Sequence, residues 1–376
     1  MKIAIVTNSS WSAYNFRFNL ARAFIEDGHD VIFIIPFDND YSEKLKKSFK
    51  CHNLSIDSKS INPLKDLKTF FNLLRVYSQV KPDIICHFTI KLNIYGTIAA
   101  RCFNIPSLAN ITGLGTLFIK KNIITYFSEF LYKLSLIFTY KAFFQNTEDL
   151  NYFLKKKIIT KANTELLPGS GVDLDKFQFS PLRIKNDKFV FLLISRLLRD
   201  KGIYEYIEAI KLIRYRYPEK LIEFQLLGDS KSNNRTAIKI SELEDWINKS
   251  LVNYLGVTDQ VENIISECHC VLLPSYREGM PRSILEAFAI GRPVIVSDVP
   301  GCRDIVDHKT NGLLCKVKSS EDLARKMITM MRISQDTRNK LAKNGRKKVE
   351  SLFDEKIVIK AYLKVINDIV SHEKIF

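Results

Sequence analysis

Two short stretches of the chain carry charged residues at spacings suited to handling a diphosphate. The first, Ser195-Arg196-Leu197-Leu198-Arg199-Asp200-Lys201-Gly202, directly follows the apolar run FVFLLI and precedes a helical pattern that starts near Tyr204. Two cations five residues apart on a strand-to-helix loop can turn toward one diphosphate, Arg196 as a bidentate fork and Lys201 as a point charge. Gly202 permits a tight turn there, and the following helix N-terminus attracts anions. The competing reading is a solvated basic loop.

The second stretch is Leu273-Pro274-Ser275-Tyr276-Arg277-Glu278-Gly279-Met280-Pro281-Arg282-Ser283-Ile284-Leu285-Glu286-Ala287. Pro281 suits the first turn of a helix, where no amide hydrogen is missed. The amides of Met280, Arg282, Ser283 and Ile284 can then form a backbone cradle for phosphate. Glu278 on the loop and Glu286 a turn inside the helix are natural bidentate acceptors for sugar or ribose hydroxyls. Ile284, Leu285, Ala287, Phe288 and Ala289 around Glu286 are apolar, so this carboxylate is expected on a largely buried helix, where it needs partners. The helix stops at Gly291-Arg292-Pro293, a Gly-then-Pro terminator.

The elements that must position these loops are legible as near-continuous hydrophobic runs alternating with helix-period stretches. Strands are expected at Lys2–Thr7, Asp30–Pro36, Asp83–Phe88, Ser107–Thr112, Ala142–Gln145 and Glu165–Leu167 in the first half. In the second half they are expected at Phe189–Ile194, Glu223–Leu227, Val252–Leu255, Cys270–Leu273, Val294–Ser297 and Gly312–Val317. Helices are expected over Tyr14–Asp27 and Pro63–Val80. Uniformly apolar strands belong to parallel sheets covered on both faces, so the fold class is α/β, with two doubly wound domains. The turn cluster Pro168–Asp173 marks the boundary, with Phe179–Lys188 as a polar linker. This predicts an N-terminal domain over 1–170 and a C-terminal domain over 171–354. The amphipathic helix at about 355–376 reads as a packing helix that can return to the first domain. Ligands of such sheets sit beyond the carboxyl ends of the strands, so the natural site is a cleft between the two carboxyl edges.

Composition narrows the class of partner. The 376 residues carry a formal net charge of +16, which suits nucleic acid, an anionic membrane surface or phosphorylated small molecules. The surplus is spread over both halves, +9 in residues 1–172 and +7 in the rest. No nucleic-acid motif accompanies it, so nucleic acid is not an expected partner. Seven scattered cysteines and an N-terminus (MKIAIVTNSSW) that reads as a first strand predict free thiols in a reducing compartment, not a disulfide frame. Cys102 to Ile119 is the longest uncharged stretch of the N-terminal half. It is broken by Asn104, Pro106, Asn110, Gly113 and Gly115 and cannot span a bilayer.

The order R-x4-K-G after a strand, then E-G-x-P-x-S-x-L-E-A-x-A-x-G-x-P, then the D-V-P-G-C-R-D-I-V and N-G-L-L turns, resembles the retaining glycosyltransferases of family 4, which have the GT-B fold. The resemblance runs through the whole chain. It implies a C-terminal domain that holds a nucleotide sugar. Arg196 and Lys201 match the pair that binds the donor diphosphate and stabilises the leaving group. Glu286 matches the carboxylate on the ribose, and Glu278 the one facing the donor sugar's reacting centre. The backbone of Gly279, Met280, Pro281, Arg282, Ser283 and Ile284 matches the pyrophosphate and base contacts. The resemblance implies no cofactor and no divalent metal, the nucleotide sugar being a substrate.

Acceptor recognition falls to the N-terminal half. Asn8-Ser9-Ser10-Trp11 follows the first strand, Thr89-Ile90-Lys91-Leu92-Asn93-Ile94-Tyr95-Gly96 the third, and Asn110-Ile111-Thr112-Gly113-Leu114-Gly115-Thr116 the fourth. These resemble a subgroup that extends polyprenyl-diphosphate-linked sugars in bacterial surface-polysaccharide or glycoprotein assembly. That resemblance implies a UDP-hexose or UDP-N-acetylhexosamine donor, a polyprenyl-diphosphate-linked acceptor, and a cytoplasmic enzyme peripherally associated with the membrane. Asn8, Ser9, Ser10, Lys91, Asn110, Thr112 and Gly113 are the acceptor-site candidates. Some relatives place a histidine after the fourth strand; here Asn110 or Thr112 stands there. Lys91 can meet an acceptor diphosphate or face solvent.

Leu117–Phe144 is rich in Phe, Tyr, Ile and Leu with lysines interspersed. It reads as an interfacial helix lying on anionic lipid or as a core helix with a charged face. Asp38-Asn39-Asp40 reads as a solvated loop, and Cys268-His269-Cys270 cannot complete a tetrahedral metal site alone. His29 has a structural position after Gly28, and His87 ends a strand facing the cleft, which makes it a further acceptor-site candidate. Two alternatives stand beside the transferase. One is a nucleotide-sugar epimerase on the same fold, and the other is a basic nucleic-acid-binding protein.

Overall fold

The structure is a computed structural model that describes residues 1–57, 62–113, 123–181, 188–230, 234 and 236–373. It divides into two compact units. One comprises Met1–Ser170 together with Lys356–Phe376, the other Gly171–Glu355.

Unit 1 holds β1 (Lys2–Val6), β2 (Asp30–Ile35), β3 (Lys50–Asn53), β4 (Ile84–Phe88), β5 (Ser107–Ile111), β6 (Lys141–Phe144) and β7 (Thr164–Leu166). They form one parallel sheet in the order β3-β2-β1-β4-β5-β6-β7. β3 escaped the sequence reading because Lys50-Cys51-His52-Asn53 has no β-branched residue. It forms as an edge strand by pairing with β2 from Ile32↔Lys50 to Ile35↔Asn53. The helix Pro63–Val80 has the expected limits, with Pro63 in its first turn and the Asn62 side chain accepting from the Leu64 amide at 2.9 Å. The first helix starts at Ser10, four residues earlier than the apolar period suggests.

Unit 2 holds β8 (Phe189–Ile194), β9 (Ile222–Leu227), β10 (Asn253–Tyr254), β11 (Cys270–Leu273), β12 (Val294–Ser297) and β13 (Gly312–Cys315), in the parallel order β10-β9-β8-β11-β12-β13. The central strands are buried along nearly their whole length, which is why they lack a polar–apolar alternation. In both sheets the order reverses beside the first strand, between β1 and β4 and between β8 and β11. Loops leaving those strands diverge there and open a crevice at the carboxyl edge.

The last helix, Glu355–Glu373, adds Val358, Tyr362, Val365, Ile366 and Ile369 to the core that β1, β2 and β4 share with the first helix. The Tyr362 ring lies 4.5 Å from that of Phe143, and its hydroxyl accepts from Asn110 Nδ2 at 2.7 Å. Asn110 Oδ1 accepts from Gln145, and Asn93 bonds both main-chain groups of Asn110, so Asn110 is fully engaged. Among the expected segments, 117–122, 182–187, Leu114–Thr116 and 374–376 lie outside the described residues.

Candidate active site

In unit 2 the loops after β8 and β11 meet at the point where the strand order reverses. The chain leaves β8 through Ser195 and Arg196, makes a tight turn over Arg199–Lys201, and enters the helix Ile203–Arg216 at Gly202. Gly202 sits at φ 73°, and a Cβ there would stand 2.1 Å from the Pro274 carbonyl oxygen, so a side chain is excluded. The Tyr276 amide donates to the Asp200 carbonyl at 2.8 Å, stitching the two loops together. The result is a contact between residues 77 positions apart in the chain. Lys201 Nζ donates to Glu278 Oε1 at 2.6 Å, with the side chains 20% and 11% exposed. Arg196 is exposed, and its guanidinium makes no hydrogen bond among the described residues.

Arg282 and Glu286 pair across one helical turn, Nε to Oε1 at 2.9 Å. Burial pushes the Glu286 carboxyl above the usual carboxylate range; Arg282 and Lys176 pull it back, and Glu262 adds to the rise. The helix Arg282–Ile290 begins at Pro281 without a side-chain cap. One expected member of the backbone cradle differs: the Ile284 amide donates to the Pro281 carbonyl at 3.2 Å, because the first turn closes on itself. Gly279, Met280 and Ser283 are half-buried in the same loop and helix start.

Sequence reasoning missed the floor of this site. Gly301, at φ 78°, presses its Cα against the loop: a Cβ would stand 2.2 Å from the Gly279 carbonyl oxygen and 2.8 Å from that of Glu278. Cys302, fully buried, follows it; burial and the nearby Glu278 carboxylate push its thiol well above the ordinary value, with Lys201 opposing. The glycine stands in the D-V-P-G-C-R-D segment, but nothing in one sequence says which loop it would touch. Gly301→Ala must displace the Glu278–Gly279 backbone. We expect turnover to fall by ~10-fold or more, as misplacement near the reacting atoms does. Comparing kcat/KM of the variant with thermal stability checks this, and an unchanged kcat/KM would remove Gly301 from the site.

In unit 1 the acceptor candidates divide into two sets. Asn8, Ser9 and Thr112 are half-buried at the carboxyl ends of β1 and β5, and their side chains make no hydrogen bond among the described residues; Gly113 follows at φ 133°. The others are held by the framework. Ser10 is buried and its hydroxyl bonds Asp38 and Asn39, at 2.7 Å for Asn39. Asn39 also caps the helix Asp40–Lys46 by accepting from the Tyr41 amide. Asp38-Asn39-Asp40 is solvent-exposed, as expected of a solvated loop, and through Asp38 and Asn39 it also ties the loop after β2 to the start of the first helix. Lys91 is half-buried and held to the framework: its Nζ contacts Asp66 at 2.6 Å and the Asp57 carbonyl at 2.8 Å. Asn110 belongs to the core network described above.

Two features at the end of β4 carried no sequence signal. Thr89 adopts φ 82°, a strained conformation for a β-branched residue, and its hydroxyl is buried without a partner among the described residues. A π-turn over Leu92–Gly96 follows. His87 is fully buried, hydrogen-bonded to the Tyr77 hydroxyl at 2.8 Å, and burial holds its pKa down to about 3. It therefore supports the fold as a neutral ring. Its unfolded value is near 6.5, so the unfolded chain takes up the proton first as pH falls. Stability contributed by neutral His87 is full above about pH 6.5 and declines toward pH 3, by at most ~1.4 kcal/mol per pH unit. Thermal melts of wild type and His87→Gln between pH 7 and 4 should show the shallower slope in the variant. Equal slopes would show that the buried ring is not the cause.

Among the described residues no group of three or more His, Cys, Asp or Glu side chains is placed to hold a metal ion, and no helix is long and apolar enough to cross a membrane. His269 accepts from the Val190 amide through Nδ1 and is buried beside two buried thiols, Cys268 and Cys270.

Two parallel sheets of this order with surrounding helices are the architecture of the GT-B glycosyltransferases. Residues 2–146 match the family described as glycosyl transferase 4-like, and residues 175–348 the family described as glycosyl transferases group 1. The chain belongs to this family of glycosyltransferases. It is 29% identical over 391 aligned positions to the N,N'-diacetylbacillosaminyl-diphospho-undecaprenol alpha-1,3-N-acetylgalactosaminyltransferase of Campylobacter jejuni, covering 99% of this chain and 100% of that protein. The UDP-Gal:alpha-D-GlcNAc-diphosphoundecaprenol alpha-1,3-galactosyltransferase of Escherichia coli is 25% identical, over 86% of this chain and 85% of its own. The fold is similar to that of HepE from Anabaena, solved with UDP and glucose (TM-score 0.78, 18% identity, 98% of this chain and 99% of that one).

Proposed function

We propose that this glycosyltransferase moves a hexose or N-acetylhexosamine from a UDP-sugar to a polyprenyl-diphosphate-linked saccharide, with retention of anomeric configuration and without a metal ion. The observation that carries the donor side is the Lys201–Glu278 contact at the strand-order reversal of unit 2. An ammonium has three donors, so Lys201 can serve Glu278 and a diphosphate oxygen together, while exposed Arg196 adds a bidentate partner. Negative charge grows on the diphosphate as the sugar leaves, and these fixed cations, with the helix start at Arg282, stabilise it where it develops. Glu278 faces the oxocarbenium-like sugar. Glu286, oriented by Arg282, holds the ribose hydroxyls. The acceptor hydroxyl attacks on the face the diphosphate leaves, and the departing phosphate oxygen takes its proton.

The acceptor side is supported by the polar groups without partners among the described residues at the carboxyl ends of neighbouring strands: Asn8 and Ser9 after β1, Thr89 after β4, Thr112 and Gly113 after β5. Ser10, Lys91 and Asn110 position those loops. The two bacterial relatives, whose names specify diphosphoundecaprenol-linked sugars, support a lipid-linked acceptor. Such an acceptor places the work of the enzyme at the cytoplasmic face of the membrane.

Incubation with a panel of UDP-sugars and short polyprenyl-diphosphate-linked acceptors tests the whole reading. UDP should appear only when both substrates are present, EDTA should leave the rate unchanged, and the lipid-linked glycan should lengthen with its new linkage in the donor's configuration. Free epimerised UDP-sugar would instead identify an epimerase, and loss of turnover with EDTA would overturn metal independence.

A further inference from the structure

The helix Ile123–Leu136 carries large apolar side chains on its outer face as well as on its inner one. A helix on a globular unit buries its apolar stripe and exposes its polar residues. Here Thr125, Ser128 and Ser135 are buried with Tyr132 and Leu136, while Tyr126, Phe127, Phe130 and Leu134 are exposed. Phe127 is 55% and Phe130 61% exposed, and the chain continues outward through Ile137 at 65%. The helix does join the core through Tyr132 and Leu136, but that inner face takes only part of its apolar surface, and Tyr126, Phe127, Phe130 and Leu134 face away from the core. Scattered exposed apolar residues need no explanation, but a contiguous aromatic and aliphatic face marks a docking surface.

The charges around the face identify what docks. Lys133 is exposed on it without a partner among the described residues. Lys156 Nζ stands 5.6 Å from the Tyr126 ring centroid at one end, and the Arg101 guanidinium 5.7 Å from Phe138 at the other. Glu129, the helix's one carboxylate, is turned inward and bonded to Tyr152 and Lys156. Aromatic rings between cations, with no exposed carboxylate on the helix, complement a surface that is apolar below and anionic at its rim.

We propose that this face, Tyr126 to Phe138 with its flanking cations, is the docking surface of unit 1 for an anionic lipid bilayer. Phe127, Phe130, Leu134, Ile137 and Phe138 enter the acyl boundary while Lys133, Lys156 and Arg101 meet lipid phosphates. The assignment rests on the lipid-linked acceptor proposed above.

Vesicle flotation of the full chain at low salt tests it, with phosphatidylcholine vesicles alone and with added phosphatidylglycerol. Wild type should float with the anionic vesicles and dissociate as salt rises. Phe127→Ser/Phe130→Ser should lower partitioning by ~10-fold or more, and Lys133→Glu/Lys156→Glu should remove the preference for the anionic lipid. Because Phe127 and Phe130 are already solvent-facing, the first variant should melt with wild type and keep its turnover on a short, water-soluble acceptor. Wild type left unbound by anionic vesicles overturns the proposal, as does equal flotation of the Phe variant. A concentration-dependent dimer that the Phe substitutions dissolve would assign the face to a second copy and overturn it too. The two readings fail separately. An enzyme that extends a detergent-dispersed polyprenyl-diphosphate acceptor but never floats loses only the docking surface, whereas one that floats normally but extends no such acceptor loses only the proposed function.

Discussion

Lys201→Ala is expected to lower kcat by ~10²-fold or more, the usual loss when one fixed charge is removed from a developing anion. Two effects combine. The diphosphate loses a cation at the tip of β8, and Glu278 loses the partner that holds it at 2.6 Å. Lys201→Arg separates them: it keeps the charge, but a planar fork cannot repeat the point contact with Glu278, so it should recover only part of the rate. Glu278→Ala alone should cause a loss of similar size. If the pair works as a unit, the double variant will be little worse than either single one. Steady-state kinetics with saturating acceptor decides this. A Lys201→Ala enzyme within about threefold of wild type would show that the leaving group is stabilised elsewhere.

Tyr362→Ala is expected to be the most destabilising single change in unit 1. The ring is fully buried, within 6.3 Å of the Phe24, Phe88 and Phe143 rings, and its hydroxyl is the partner of a buried Asn110 amide. Truncating such a ring costs about 3–5 kcal/mol, and the orphaned amide adds about 1–3 kcal/mol. For a unit of this size, Tm should fall by about 10 °C or more. Limited proteolysis should then cut near Lys356, where the chain re-enters unit 1. Tyr362→Phe, which keeps the packing, should lose only about 1–2 kcal/mol. An alanine variant that melts within about 2 °C of wild type would mean that the last helix is not held through this residue.

These two residues also mark how much was legible beforehand. Lys201 could be singled out because it lies on a short loop whose strand, glycine and helix are all local features. The same holds for the limits of Pro63–Val80 and for the apolar strands β8, β11 and β12, whose boundaries match the expectation residue for residue. Tyr362 sits in an amphipathic tail whose pattern says that it packs, but not against what. Its partner Asn110 is 252 positions away and read as an acceptor contact.

The sequence by itself determined the elements, the parallel α/β class and the two charged loops, because a run of buried β-branched residues, a Gly turn and a Pro start each act over a few bonds. Only the tertiary structure decided which polar groups stay available. Ser10, Lys91 and Asn110 look as free as Asn8, Ser9 and Thr112 when read in line, yet each is claimed by a group brought beside it by sheet order: Asp38 from the loop after β2, Asp66 from the helix before β4, Tyr362 from the last helix. Hydrogen bonds and ion pairs act over about 3 Å of space, whatever the distance along the chain. The outward Phe127 and Phe130 follow the same logic in reverse: their composition promises burial, and only the packing of Tyr132 and Leu136, with Thr125, Ser128 and Ser135 buried alongside, shows which side of the helix was taken in.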